Sequence, residues 1–293
     1  MSPFIYICIP VFNRIDYTLR CIDSIYKQSY TNYKIVICDD GSTDGTYNII
    51  SNKYPDITLL SGTGNLWWAG ATNMCIEKVL NIGKDEDYIF TLNNDTELVE
   101  NTLTSLIELG ELFPGSIIGS VNVFYDDHSK IEPSAFKRTN KFFFKNAAVK
   151  INNFGDSYSL EKEYTEVDAF AGKGVLIPVS TFKKLGLYNS SLLPHYHADN
   201  EFTLRARNSG FRLFYCYKSK VLSHQNLTGT GVMNKNLIEF VRSFSNIKSA
   251  IHYRSLLNFS KLVYGRNYRS YLYWHLMHIV LGYFKRFFIR HYK

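Results

Sequence analysis

The chain has 293 residues, of which 45% are hydrophobic, 16% aromatic and 20% charged. That balance excludes an intrinsically disordered chain and suffices for one large α/β domain, or two average ones, with a self-supporting core. The net charge of +7 is concentrated in residues 236–293, where ten Lys or Arg face the single acid Glu239, leaving the first 235 residues slightly acidic. A nucleic-acid reader spreads basic charge over its groove-facing fold, so no nucleic-acid partner is expected and the tail reads as meeting a membrane or another anionic partner. Five widely spaced cysteines, Cys8, Cys21, Cys38, Cys75 and Cys216, form no CxxC pair. They exclude a disulfide framework and a thiolate zinc knuckle and point to a reducing compartment. Phe4 to Val11 is too short and lacks the basic flank of a secretory leader, so a cytoplasmic protein is expected.

In chain order, Ile5 to Val11 is an apolar, β-branched run that predicts a buried strand. Asp16 is the expected cap of a helix carrying Leu19, Ile22, Ile25 and Tyr26 on one face. Tyr33 to Cys38 predicts a second strand, closed by Asp39-Asp40-Gly41-Ser42-Thr43-Asp44-Gly45. A helix over Tyr47 to Tyr54, a strand over Ile57 to Leu60, a loop over Gly62 to Gly70 and a helix over Ala71 to Leu80 follow. Tyr88 to Leu92 predicts the fourth strand, Asn93-Asn94-Asp95-Thr96 a loop, and Val99 to Leu112 a helix. This alternation implies βαβ units and a mostly parallel, Rossmann-like sheet with helices on both faces.

Further along, Ile117 to Phe124 and Lys141 to Val149 read as strands, joined by a polar connection over Asp126 to Asn140. Val167 to Pro178 carries the turn Ala171-Gly172-Lys173-Gly174, Glu201 to Ser209 a short helix, and Phe211 to Tyr217 a strand continued by Lys220 to His224. After Leu237 the pattern is helical and aromatic. The expected organisation is a domain over 1–235 and a helical extension over 236–293.

Ligands of an open α/β sheet bind beyond the carboxyl ends of its strands. Three of those ends carry Phe12-Asn13, Asp39-Asp40 and Asn93-Asn94-Asp95, which therefore should line one crevice. Together with their order and spacing, Ile7-Cys8-Ile9-Pro10-Val11-Phe12-Asn13-Arg14, Asp39 to Asp44 and Leu92-Asn93-Asn94-Asp95 resemble the nucleotide-sugar half of a family 2 glycosyltransferase with the GT-A fold. Gly64-Asn65-Leu66-Trp67-Trp68-Ala69-Gly70-Ala71-Thr72-Asn73 resembles a loop of rhamnosyltransferase-like members. Ala198-Asp199-Asn200-Glu201 through Arg205 resembles the family's acidic segment and arginine. The resemblance covers about residues 4–225.

It implies that Pro10, Val11, Phe12, Asn13 and Asp40 contact the nucleoside base, with Asp40 its reader. Asn65, Trp68 and Asn73 would flank the nucleotide, with Asn93 and Asn94 in the donor loop. Asp95 would bind a divalent cation, Mn2+ or Mg2+, with His224 near the diphosphate and metal. Asp199 falls on the general-base position, and Gly172, Lys173 and Gly174 would shape the acceptor side. Asn93 stands where the Asp-x-Asp motif has its first acid, so metal affinity without nucleotide should be weak. Ala198 replaces a frequent Glu. The donor would be a UDP- or dTDP-sugar and the acceptor a hydroxyl on a glycan or lipid-linked sugar in surface polysaccharide synthesis.

The chemistry stands on physical grounds as well. A departing diphosphate develops negative charge that a cation at Asp95 neutralises, and an alcohol needs a carboxylate to take its proton as it attacks. Asp199 begins a helix, whose dipole is expected to keep its pKa low. One attack opposite the leaving group would invert the anomeric centre.

Two rival readings remain at this point. His195-Tyr196-His197-Ala198-Asp199 would put three metal ligands on one face of a strand, as in a metal-dependent hydrolase. A non-catalytic nucleotide- or sugar-binding protein on the same scaffold is the other. In the tail, Tyr271 to Phe284 is too short to span a bilayer; flanked by Lys285, Arg286 and Arg290, it suits an interfacial helix on the inner membrane face through residues 268–293. A helix packed on the domain, or on a second copy in a homo-oligomer, is the alternative.

Overall fold

The structure, a computed structural model, describes residues 2–138, 144–146, 163–224 and 236–291. The first half alternates strand and helix: β1 (Ile5–Val11), α1 (Ile15–Tyr26), β2 (Tyr33–Asp39), α2 (Thr46–Lys53), β3 (Thr58–Ser61), α3 (Trp67–Leu80), β4 (Tyr88–Thr91), β5 (Thr96–Leu98) and α4 (Thr102–Leu112). The second half runs β6 (Ile117–Phe124), β7 (Asp127–Glu132), β8 (Ala135–Arg138), β9 (Phe144–Asn146), β10 (Tyr164–Glu166), β11 (Ala169–Phe170), β12 (Val175–Pro178), α5 (Val179–Leu185), α6 (Ala198–Asn208) and β13 (Leu213–Ser223). Helices α7 (Leu237–Ser243), α8 (Tyr253–Tyr264) and α9 (Tyr268–His291) follow.

The main sheet has the order β10-β13-β6-β12-β4-β1-β2-β3. Strands β3, β2, β1 and β4 are mutually parallel, as are β6 and β13, while β12 runs antiparallel between β4 and β6. Alternate residues of β1 feed two layers, because successive side chains of a strand point to opposite faces. Ile5, Ile7, Ile9 and Val11 join Cys21, Ile22 and Ile25 of α1, Ile50 of α2 and Leu103 and Leu106 of α4. Tyr6 and Cys8 join Cys75, Ile76 and Val79 of α3, Phe182 of α5 and Phe202 of α6. Both faces are therefore helix-covered, and every residue of β1 is buried.

Several elements depart from the sequence reading. Arg14, in the left-handed region, occupies the α1 N-cap position without a side-chain cap, and Asp16 lies in the first turn instead. Tyr26, expected on the buried face, is exposed. Helix α3 starts inside the expected loop, at Trp67. Three-residue β5 takes the last residue of the expected loop, Thr96, and the two that follow it, and α4 begins at Thr102 rather than Val99. The polar connection after Phe124 contains β7 and β8. Of the strand expected over Lys141 to Val149, β9 is described and the rest lies outside the described residues.

The carboxyl-terminal helices are not detached. The His197 ring, through Nε2, meets the Ala250 carbonyl at 2.9 Å, and Asn258 Nδ2 donates to the Leu192 carbonyl at 3.0 Å. Phe259 and Tyr271 enter the layer beneath α6, while Phe240, Ile251, Leu256, Leu272, Ile279 and Tyr283 form a small core of their own.

Gly119 of β6 leaves no room for a side chain: a Cβ there would lie 2.3 Å from the buried Phe170 ring. Gly119→Ala is expected to destabilise by about 1–3 kcal/mol or more through overpacking, read as a lower urea midpoint at unchanged slope.

Candidate active site

The loops after β1 and β2 are built into one unit. Asn13 and Arg14 are consecutive non-glycine residues at φ 57° and 65°, each costing on the order of 1 kcal/mol. Bonds from the neighbouring loop hold them: the Asn13 N–H donates to Ser42 Oγ at 2.6 Å, the Thr43 N–H to Asn13 Oδ1 at 2.8 Å, and the Ile15 N–H to Asp44 Oδ2 at 3.0 Å. Asp39 Oδ1 accepts the Ser42 N–H, closing the second loop on itself. Asn94 ties in the loop after β4, its Nδ2 reaching Thr18 Oγ1 at 3.0 Å and the Asn13 carbonyl at 3.4 Å. Pro10 and Val11 are buried at the end of β1, whereas Phe12 is 51% exposed at the rim.

Asp40 is buried and gathers the next loop. Its Oδ1 accepts the Gly64 N–H at 2.8 Å, and its Oδ2 accepts those of Leu66 and Trp67 at 2.9 and 3.0 Å. Trp67 is thereby held at φ 58°, an outlier for a bulky residue, and Asn65 is left exposed on the crest. Asn73 is also a building residue: buried in α3, it donates from Nδ2 to the Tyr188 carbonyl and accepts the Tyr188 N–H, at 2.9 and 3.0 Å.

Trp68 turns inward. Its Nε1–H donates to Asn93 Oδ1 at 2.8 Å, and a Cβ on Gly172 would strike its ring at 2.5 Å and the Asp199 Cβ at 3.0 Å. Only glycine fits between indole and carboxylate. The Gly172 N–H donates to Asp199 Oδ2 at 2.6 Å and the Asn200 N–H to Oδ1 at 2.8 Å. A continuous chain of contacts thus runs from the Asn93-Asn94-Asp95 loop through Trp68 to Asp199.

The pKa of Asp199 departs from the sequence expectation. Burial raises it, and this outweighs the lowering by the two N–H donors and by nearby Lys173. The dipole at the start of α6 does not keep it low. Lys173 itself is buried, its Nζ 2.6 Å from Glu132 Oε2 and 2.8 Å from Ser223 Oγ. Gly174, at φ 78°, turns the chain against Val221.

Asp95 immediately precedes β5 and His224 follows β13, where Ser223 pairs with Thr96 and the His224 N–H donates to the Asp95 carbonyl at 3.2 Å. Asp95 is 5% exposed; Arg14 approaches its Oδ2 at 3.5 Å and its Oδ1 has no hydrogen-bond partner. His224 lies against the ring of Tyr125 and meets Glu97 Oε1 through Nε2 at 3.0 Å. Among the described residues no three His, Cys, Asp or Glu groups converge to hold a metal. An oxygen-preferring ion fits this site through the unpartnered Asp95 oxygen, with the remainder of its ligands coming from phosphate and water. Glu97 was missed in the sequence, although two-residue alternation along β5 puts it on the Asp95 face.

The hydrolase reading fails. His195, His197 and Asp199 do not share a strand, since His197 sits at φ 73° just before α6. His197 is spent on the Ala250 carbonyl and packs on Phe259, and burial pulls both histidines down to about 4.

The description Glycosyl transferase family 2 matches residues 6–160 of the chain. In Escherichia coli, UDP-Glc:alpha-D-GlcNAc-diphosphoundecaprenol beta-1,3-glucosyltransferase WfaP is 34% identical over 107 residues, 36% of this chain and 40% of that protein. The curated relatives are matched over about half their length or less. Among solved structures, GalNAc-T7 with UDP, GalNAc and Mn2+ superposes with a TM-score of 0.61 at 15% identity, over 76% of this chain and 43% of that one. TarS 1–349 of S. aureus superposes at 0.56 and 13%, over 96% and 89%. The mixed sheet and its helices are a GT-A fold. The chain belongs to glycosyl transferase family 2.

Because Asp199 holds its proton more tightly folded than unfolded, its ionisation costs stability as pH rises through and above the ordinary carboxylate range. Asp199→Asn removes that cost, so the stability of the variant relative to the parent should improve from pH 4 to pH 7, read from urea midpoints at each pH.

Proposed function

We propose that the chain is an inverting glycosyltransferase that moves a sugar from a nucleotide diphosphate to a hydroxyl acceptor. One observation carries this reading: Trp68 and Gly172 connect the Asp95 loop to Asp199, so a cation-binding carboxylate and a proton-accepting carboxylate serve one cleft. The exposed rim at Phe12 and Asn65 receives the nucleoside. Asp40 shapes the loop beside it through three N–H groups and is the candidate base reader. UDP or dTDP suits such a site, and the UDP in GalNAc-T7 supports the former.

Asp199 takes the proton of the attacking alcohol. Its raised affinity for that proton makes it a better base than an ordinary surface carboxylate, while the Gly172 and Asn200 N–H groups fix the orientation of its oxygens. A single displacement on the face opposite the diphosphate inverts the anomeric centre. Asp95 would hold a divalent ion, Mn2+ or Mg2+, which when bound offsets charge on the departing diphosphate; the Mn2+ of GalNAc-T7 supports this. His224, fixed by Glu97, flanks the same loop.

The acceptor is a glycan or lipid-linked sugar in surface polysaccharide assembly, a reading supported by the diphosphoundecaprenol substrate in the name of WfaP. Residues 1–235 form the catalytic part and 236–293 an extension packed on it. One face of α9 is buried through Leu272, Ile279 and Tyr283, while Tyr273, Trp274, Leu281, Phe284 and Phe288 remain exposed beside Lys285 and Arg286. That outer face lies on the anionic inner leaflet and brings the cleft to its acceptor.

With UDP- and dTDP-sugars and a lipid-linked acceptor, Asp199→Asn should lower acceptor-dependent nucleotide release by at least about 100-fold, while nucleotide affinity stays within about twofold. Full turnover by this variant removes Asp199 from the mechanism. Nucleotide binding without any acceptor-dependent release by the parent would leave a sugar-binding protein. Replacing Trp274 and Phe288 by Glu should weaken cosedimentation with anionic vesicles several-fold, and unchanged cosedimentation ends the membrane assignment.

A further inference from the structure

The cation site contains its own cation. Asn93 is neutral where an Asp-x-Asp motif carries its first acid, so Asp95 is the one acid of the Asn93-Asn94-Asp95 turn, and Arg14 lies 3.5 Å from its Oδ2. That distance is longer than a charge-assisted hydrogen bond, and Asp95 Oδ1 makes none. A carboxylate 5% exposed, facing one distant guanidinium and, among the described residues, with its Oδ1 unpartnered, is held but not satisfied.

Arg14 is placed for this by strain. It follows Asn13 in the left-handed region, and both are locked there by Ser42, Thr43 and Asp44 from the β2 loop. Its carbonyl accepts from the Tyr17 and Thr18 N–H groups, which roots the residue in the first turn of α1. The side chain is 42% exposed, so the guanidinium approaches Asp95 while part of it stays in contact with solvent. A planar, permanently charged fork suits a phosphate as well as a carboxylate.

We propose that Arg14 is the resident counter-cation of Asp95, giving up the carboxylate to a divalent ion that arrives with the nucleotide and then turning to the diphosphate. The inference rests on the glycosyltransferase reading given above. It makes Arg14 a positioning residue with two opposed effects. It competes with a free metal for Asp95, and it attracts a nucleotide diphosphate even when metal is absent. A purely structural role for Arg14 moves neither quantity in opposite senses.

Calorimetric titration separates the cases, using the full chain, MnCl2 alone, and UDP or dTDP in EDTA. Arg14→Gln should bind Mn2+ more tightly and the nucleotide in EDTA more weakly, each on the order of tenfold given the exposure of the guanidinium. Arg14→Lys, which keeps the charge at the same backbone conformation, should restore most of both affinities. Circular dichroism and thermal midpoints establish that the variants are folded. If Arg14→Gln leaves both affinities unchanged, or lowers both, Arg14 is not the counter-cation, while the glycosyltransferase reading stands as long as the parent binds nucleotide with Mn2+. If the parent binds neither nucleotide with or without Mn2+, the functional reading falls and this inference with it.

Discussion

The indole of Trp68 is held by a hydrogen bond to Asn93 at one end and by close contact with Gly172 at the other. The Asn93-Asn94-Asp95 loop and the Asp199 helix come from distant parts of the chain, and Trp68 bridges them. Its position depends in turn on Asp40, which draws the Gly64, Leu66 and Trp67 N–H groups together and sets where α3 begins. One buried carboxylate therefore fixes the loop, the loop fixes the indole, and the indole fixes the distance across the cleft. Removing an acceptor of three backbone donors leaves them unsatisfied, which is why strain at Trp67 persists.

The charges around the cleft are arranged in pairs. Lys173 faces Glu132 and Arg14 faces Asp95, while the His224 ring meets Glu97 through Nε2. Asp199, like Asp40, instead gives its oxygens to backbone N–H groups, and burial raises the proton affinity of Asp199. Burial without a close cation holds the proton of a carboxyl more tightly than an exposed position does. The two carboxylates of the cleft are thus separated in character by their surroundings.

Much of the fold was legible in the sequence because a sheet covered on both faces writes itself as continuous apolar, β-branched runs, as in Ile5 to Val11. Short elements were not legible. Three-residue β5 has no periodicity to detect, so Glu97 escaped notice although it meets His224. The start of α3 at Trp67 is hidden because its signal is a hydrogen bond from the Trp67 N–H to the distant Asp40 carboxylate, and Asp16 reads as the α1 cap because nothing local shows that Arg14 adopts a left-handed conformation.

The sequence by itself determined the succession of strands and helices and the polar composition of the loops, since hydrophobic periodicity and turn chemistry are local properties. Tertiary structure alone decided what those loop residues touch. It closed Asp40 on three backbone N–H groups and Asn73 on Tyr188, turned His197 away toward Ala250, brought Arg14 to Asp95, and through burial raised the pKa of Asp199. Burial and partnership are relations between residues far apart in the chain, and a side chain acquires them only when the fold has closed around it.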